Sequence, residues 1–198
     1  MKKHVLAAAI LLAPCPVLAA DGWSDFYAEV YGGISQSTVL TWYSFGSVDS
    51  TYQMESRAVF GGAVGIQTPV DNLALELDAL VVPGTYVGYP NDFHDTLSLM
   101  VNGVYTVPLG DRFDLYGKLG AGVVVQHYHA QSNGADSTAA GLGYQAAVGA
   151  NVMLTDNISL FGELRHQDTF QPVNLQPPQY SVSRPTTVAL VGIRFDMN

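Results

Sequence analysis

A single eight-stranded antiparallel up-and-down transmembrane β-barrel, all-β and exported, is predicted by three observations: a leader at the start, two-residue alternation in eight segments, and short turns exchanging regularly with long loops.

The leader comes first. Met1-Lys2-Lys3-His4 is followed by an apolar run from Val5 to Ala13 and then by Val17-Leu18-Ala19-Ala20. A basic start, a short apolar run and small residues before the cut mark a secretory signal. The run is too short to cross a bilayer as a helix. Cleavage is expected after Ala20, with Ala19 as the alternative, leaving one barrel domain over residues 21–198. Cys15, the only cysteine, falls inside the leader, so neither disulfides nor thiol chemistry are expected beyond it. Leu12-Ala13-Pro14-Cys15 has the outline of a lipoprotein box, but proline on both sides of the cysteine fits that motif poorly.

Composition narrows the class. Charged residues make up 13% of the chain, against about 25% in ordinary soluble domains. Seventeen acidic residues outweigh eight basic ones, for a net charge of −9. Such a surface repels phosphate backbones, which excludes nucleic acid as a partner.

The turns alternate in kind. Thr68-Pro69-Val70-Asp71-Asn72, Pro108-Leu109-Gly110-Asp111-Arg112 and Leu154-Thr155-Asp156-Asn157 are short and rich in Pro, Gly, Asp and Asn, as tight turns require. Longer, irregular stretches lie near 36–55, 83–95, 129–138 and 168–185. Between them the strands are expected near 25–35, 56–67, 73–82, 96–107, 113–128, 139–153, 158–167 and 186–197. These lengths suit tilted strands that cross a bilayer in about 9–11 residues.

Splitting each segment by parity leaves one face free of Lys, Arg, Asp and Glu. Phe26, Val30 and Ile34 lie on it, as do Leu99, Val101, Leu119, Val148 and Val191. The opposite parity carries the mid-strand charges Glu29, Arg57, Glu76, Asp78, Lys118, Glu163, Arg165 and Arg194. Alternation alone does not say which face is inside. The signal, the unbroken apolar face and the strand lengths decide for apolar outside and charged inside. An open sheet in lipid leaves its edges unpaired, so the strands must close. Short turns then face the periplasm and long loops the exterior. Trp23 is expected at the periplasmic interface and Trp42 in the first outer loop.

An eight-stranded barrel has an interior that side chains fill. The eight inward charges, four of each sign, are therefore expected to pair as an ion network plugging the lumen. A gated pore that opens by switching partners is the alternative.

At this point the residues resemble a known family. Leu115-Tyr116-Gly117-Lys118-Leu119-Gly120-Ala121-Gly122-Val123 and the stretch from Gly149 to Arg165 look like the fifth to seventh strands of OmpA-like barrels, closest to the small porin-family surface proteins. Trp23-Ser24-Asp25-Phe26-Tyr27 resembles their opening, and Val191-Gly192-Ile193-Arg194-Phe195 their closing strand. The likeness implies the barrel fold, the outer membrane of a Gram-negative cell, and contact with outer-membrane lipid, lipopolysaccharide and the barrel insertion machinery. The chain departs from the family in placing Asp196-Met197-Asn198 after Phe195, where members usually end on an aromatic residue. The peptidoglycan-binding domain of larger OmpA proteins is not expected.

Four histidines, His94, His127, His129 and His166, are expected at the extracellular rim. His127-Tyr128-His129 puts two imidazoles on one strand face, a weak candidate for metal or haem capture; some relatives are described as haemin-binding. His166-Gln167-Asp168 falls where outer-membrane lipid A deacylases carry His-x-Ser, with Asp168 in place of the serine and Ser181 and Ser183 in the same loop. No catalytic residue, cofactor or resident metal is assigned. The loop aromatics Trp42, Tyr43, Phe45, Tyr52, Tyr86, Tyr89, Phe93 and Tyr180 suit contact with an extracellular ligand. The loop acids Asp49, Glu55, Asp92, Asp95, Asp136 and Asp168 are candidates for cations bridging lipopolysaccharide. The function expected is that of a non-enzymatic envelope barrel presenting its loops. A receptor, a narrow channel and a lipid-modifying enzyme are the competitors.

Overall fold

The computed structural model describes residues 24–36, 38–131, 134–176 and 180–197. The expected signal, Cys15 and Trp23 lie outside the described residues.

Thirteen strands form among the described residues: β1 Ser24–Ser35, β2 Val39–Ser44, β3 Ser47–Gln53, β4 Ala58–Gln67, β5 Leu73–Val82, β6 Thr85–Tyr86, β7 Tyr89–Pro108, β8 Phe113–Ala130, β9 Ala135–Thr155, β10 Ile158–Thr169, β11 Val173–Gln176, β12 Tyr180–Ser183 and β13 Thr186–Met197. Eight of them, β1, β4, β5, β7, β8, β9, β10 and β13, pair in chain order and antiparallel. β13 returns to β1, opposing Ala28 to Phe195 and Ile34 to Ala189, which closes the barrel. Closure leaves the hydrocarbon region without an unpaired strand edge.

The alternation falls as expected. Val30 is 57% exposed and Val148 63%, while their inward neighbours Glu29 and Ala147 are buried. The inward face is not only charged. Tyr27, Tyr31, Tyr116 and Phe161 also point into the lumen, and each lies opposite a glycine in register: Gly65, Gly61, Gly149 and Gly192. An added Cβ at Gly65 would stand 2.1 Å from the Tyr27 ring, and at Gly149 2.3 Å from that of Tyr116. The missing side chain makes room for the ring.

Above the bilayer the structure departs from the irregular loops expected. β7, β8 and β9 run 20, 18 and 21 residues, well beyond the crossing segments. The first and last loops pair with one another in a second sheet of order β11-β12-β2-β3. Leu40, Met54, Tyr86 and Val182 form its buried core, with Trp42 and Tyr128 packed against it. The reason is apolar burial: residues scattered through separate loops can leave water only by pairing across the barrel mouth.

Candidate functional site

The lumen is built around two cations. Lys118, carried inward by β8, places Nζ 3.1 Å from Glu29 on β1, 2.9 Å from Glu76 on β5 and 3.3 Å from Glu163 on β10. Arg165 on β10 donates from Nε to Glu163 at 2.7 Å and from Nη1 to Asp78 at 2.8 Å. Lys118 thus ties together strands from opposite sides of the barrel. Six of the eight expected charges meet in this buried network.

Its four carboxylates face two cations, and phenols supply the further donors. Tyr27 donates to Glu76 at 3.0 Å, Tyr31 to Asp78 at 2.6 Å and Tyr116 to Glu163 at 3.0 Å. Asn102 donates to Glu76 at 3.0 Å and accepts from Gln145 at 2.7 Å. Hydrogen bonds of this kind make charges in a low-dielectric interior tolerable. The tyrosines were legible in the sequence as aromatics sharing the parity of the charges, Tyr27 and Tyr31 flanking Glu29.

The other two charges lie elsewhere. Arg194, near the periplasmic end, donates to Asp196 at 2.8 Å and stacks 3.7 Å from the Tyr27 ring centroid. Arg57 does not enter the lumen. β4 begins at Ala58, so Arg57 stands where the chain leaves the barrel for the outer sheet, and it pairs with Glu55 at 2.7 Å with both side chains more than 40% exposed.

The histidines also separate. His94 is fully buried rather than exposed at the rim, with Nε2 2.9 Å from the side-chain oxygen of Gln126. It shares the parity of Ser98 and Asn102 and so faces inward, a signal present in the sequence. His127 and His129 face outward and share Asp136, at 3.0 Å and 3.3 Å. Among the described residues, no group of three or more His, Cys, Asp and Glu is disposed to hold a metal ion. His166 bonds Thr187 at 2.9 Å on the outward face. Ser181 is instead in the outer sheet opposite Tyr43.

The sequence reading missed Arg184, between β12 and β13. Its buried guanidinium crosses the lumen mouth and donates to the carbonyl oxygens of Val82, Pro83 and His94, and to Thr96 Oγ1 at 3.2 Å. Gly84 is required beneath it, because an added Cβ would lie 2.6 Å from a guanidinium nitrogen. Burial pushes the pKa of Arg184 down to about 10. Arg184→Ala is expected to strand these oxygens, at about 1–3 kcal/mol for a buried acceptor left unpaired. Amide hydrogen exchange at residues 82–96 should speed up while the barrel wall stays protected; unchanged exchange would refute the latch.

The outer aromatics divide between core and surface. Trp42 meets Tyr128 edge-on at 5.1 Å and Tyr52 meets Tyr86 at 5.5 Å, so these rings hold the outer sheet together. Phe45 is 78% exposed at the tip of the β2–β3 hairpin. It takes φ +50° beside Gly46 at φ +80°, a turn geometry that ordinarily selects Asn or Gly at the first position. The loop acids are held by protein donors where contacts are seen: Asp92 accepts from the Gln131 amide at 2.9 Å and Asp95 from that of Gly84 at 3.1 Å.

The outer membrane protein beta-barrel domain family matches residues 5–195. No curated sequence matches the chain. Among solved structures, the chain is similar to Neisserial surface protein A, NspA, with a TM-score of 0.61 and 15% identity over 88% of this chain and 99% of that one. It is likewise similar to OprG from Pseudomonas aeruginosa, at 0.56 and 14% over 88% and 96%. The outer membrane protease OmpT from Escherichia coli gives 0.53 and 9% over 92% and 99%. At these identities the likeness is one of fold.

Proposed function

Because the chain belongs to the outer membrane protein beta-barrel domain family, we propose that it is a non-enzymatic surface protein: a plugged barrel that anchors in the outer membrane and contributes to envelope structure while presenting a folded β-sheet head to an extracellular ligand. The observation that carries this reading is the division of the molecule. Lys118 meets three carboxylates and Arg165 two inside the lumen, and Arg184 spans its mouth, whereas the first and last outer loops form an ordered sheet with its own core.

The ordered head supports contact over conduction. Phe45 and Val48 project from it at 78% and 61% exposure, and large exposed apolar side chains on a preformed scaffold lose little entropy on binding. Phe45 also holds a backbone conformation that a bulky residue seldom adopts, so local preference yields to the display of an aromatic ring.

Two measurements test the reading. Purified protein in planar bilayers is expected to give no sustained conductance steps. Cells displaying the protein are expected to bind a component of a glycan and serum-protein array, and Phe45→Ser with Val48→Ser should abolish that binding without changing heat-modifiable mobility. A steady pore would replace this reading with a channel, and a change in lipid A mass that depends on His166 would replace it with an enzyme.

A further inference from the structure

The glycines of the barrel wall differ by face. Inward glycines are pressed closely by their surroundings: Gly61, Gly65, Gly149 and Gly192 sit under aromatic rings, while Gly33, Gly120 and Gly122 have a neighbouring strand's backbone or Asn102 within 3 Å of where a Cβ would stand. Gly103 on β7 and Gly117 on β8 face the lipid and have no such reason. An added Cβ would meet nothing nearer than 4.0 Å at the first and 3.9 Å at the second. Neither has a positive φ. Glycine inside a strand carries an entropic cost and leaves nothing to pack, so the protein's own interior does not account for either residue.

What they leave is a furrow of about 670 Å³ in the outer wall, within the range of about 300–1,000 Å³ usual for small-molecule sites. It lies between two adjacent cross-strand rows, one through Tyr105, Gly117 and Val148, the other through Gly103, Leu119 and Ala146. Lys118 and Arg165 also border it but are buried, and the exposed side chains that line it are apolar apart from the Tyr105 hydroxyl until the outer end. There His166 on β10 and Thr187 on β13 stand opposite one another, His166 Nδ1 2.9 Å from Thr187 Oγ1.

We propose that this furrow is a lipid-binding site that seats one acyl chain of an outer-leaflet lipopolysaccharide, with the His166–Thr187 pair meeting the oxygen groups at the head of that chain. The occupant follows from position. The furrow is continuous with the face that the bilayer covers, and hydrocarbon is the material that reaches it. The polar pair stands at the end nearest the outer sheet, on the leaflet where lipopolysaccharide carries its ester and hydroxyl oxygens. Imidazole and hydroxyl both donate and accept, which suits such oxygens. The site is independent of whatever the outer sheet binds.

Photo-crosslinking in nanodiscs of dimyristoylphosphatidylcholine doped with lipopolysaccharide tests this. Leu119→p-benzoylphenylalanine places the probe in the furrow. Val30→p-benzoylphenylalanine places it on the lipid face of β1, on the far side of the barrel; Val30 and Leu119 stand at matching positions from the periplasmic ends of their strands. The furrow probe should yield several-fold more lipopolysaccharide adduct than the Val30 probe. Gly103→Leu with Gly117→Leu should lower that yield to the Val30 level with heat-modifiable mobility retained. If that pair impairs folding, His166→Ala with Thr187→Val should reduce the preference for lipopolysaccharide over phospholipid. Equal yields at the two probes, phospholipid adducts without preference, or adducts chiefly to a second copy of the chain would each overturn the proposal.

Discussion

Lys118→Met is expected to destabilise the barrel by roughly 3–5 kcal/mol, the cost of breaking a buried ion pair by removing one partner. Lys118 Nζ touches three carboxylates, those of Glu29, Glu76 and Glu163, with every side chain in the cluster at most 4% exposed. Methionine matches the aliphatic stem closely, so the loss reports charge rather than volume. The residual donors, Tyr27, Tyr116, Asn102 and Arg165, cannot replace an ammonium group shared three ways. Folding equilibria in urea with lipid vesicles measure the change, and the midpoint of heat-modifiable mobility gives a second readout. Glu76→Gln in the Lys118→Met background should recover part of the loss, because it removes one of the stranded charges. A loss below about 1 kcal/mol would show that the network does not hold the barrel together.

Val148→Arg tests the outside of the wall as Lys118 tests the inside. Val148 is 63% exposed on β9, between Gly117 of β8 and Leu164 of β10. An arginine near mid-membrane on the lipid face costs about 2–4 kcal/mol. The same urea titration measures it. Phe45→Ser, at the exposed tip of the outer hairpin, should change stability by less than about 0.5 kcal/mol, as is usual for surface substitutions. Equal tolerance at the two positions would mean that the exposed apolar face does not meet lipid.

The lumen shows how far parity carries. Glu29, Glu76, Asp78, Lys118, Glu163 and Arg165 could each be set on the inner face by counting along a strand from a turn. Which acid meets which base could not, because Lys118 reaches across the barrel and that distance depends on closure. Arg57 illustrates a different limit. Its parity is inward, but β4 begins at Ala58, two residues later than the alternation implies, and parity has no meaning outside the paired residues. His94 has inward parity, but its burial is not legible from the sequence, since the extension of β7 above the membrane depends on its pairing with β8. Arg184 carried no local signal: it follows an outer-sheet strand and precedes Pro185, and only its approach to Val82, Pro83 and His94 gives it a role.

By itself the sequence determined the number of crossing strands, their direction and the face each presents to lipid, because a two-residue period and turn chemistry are local properties of the chain. Tertiary structure alone decided the partners of the buried charges, the latch across the lumen mouth, the outer sheet made from the first and last loops, and the furrow on the lipid face. Each of these joins residues far apart in the chain, whose contacts exist only once the sheet has closed and its register is set.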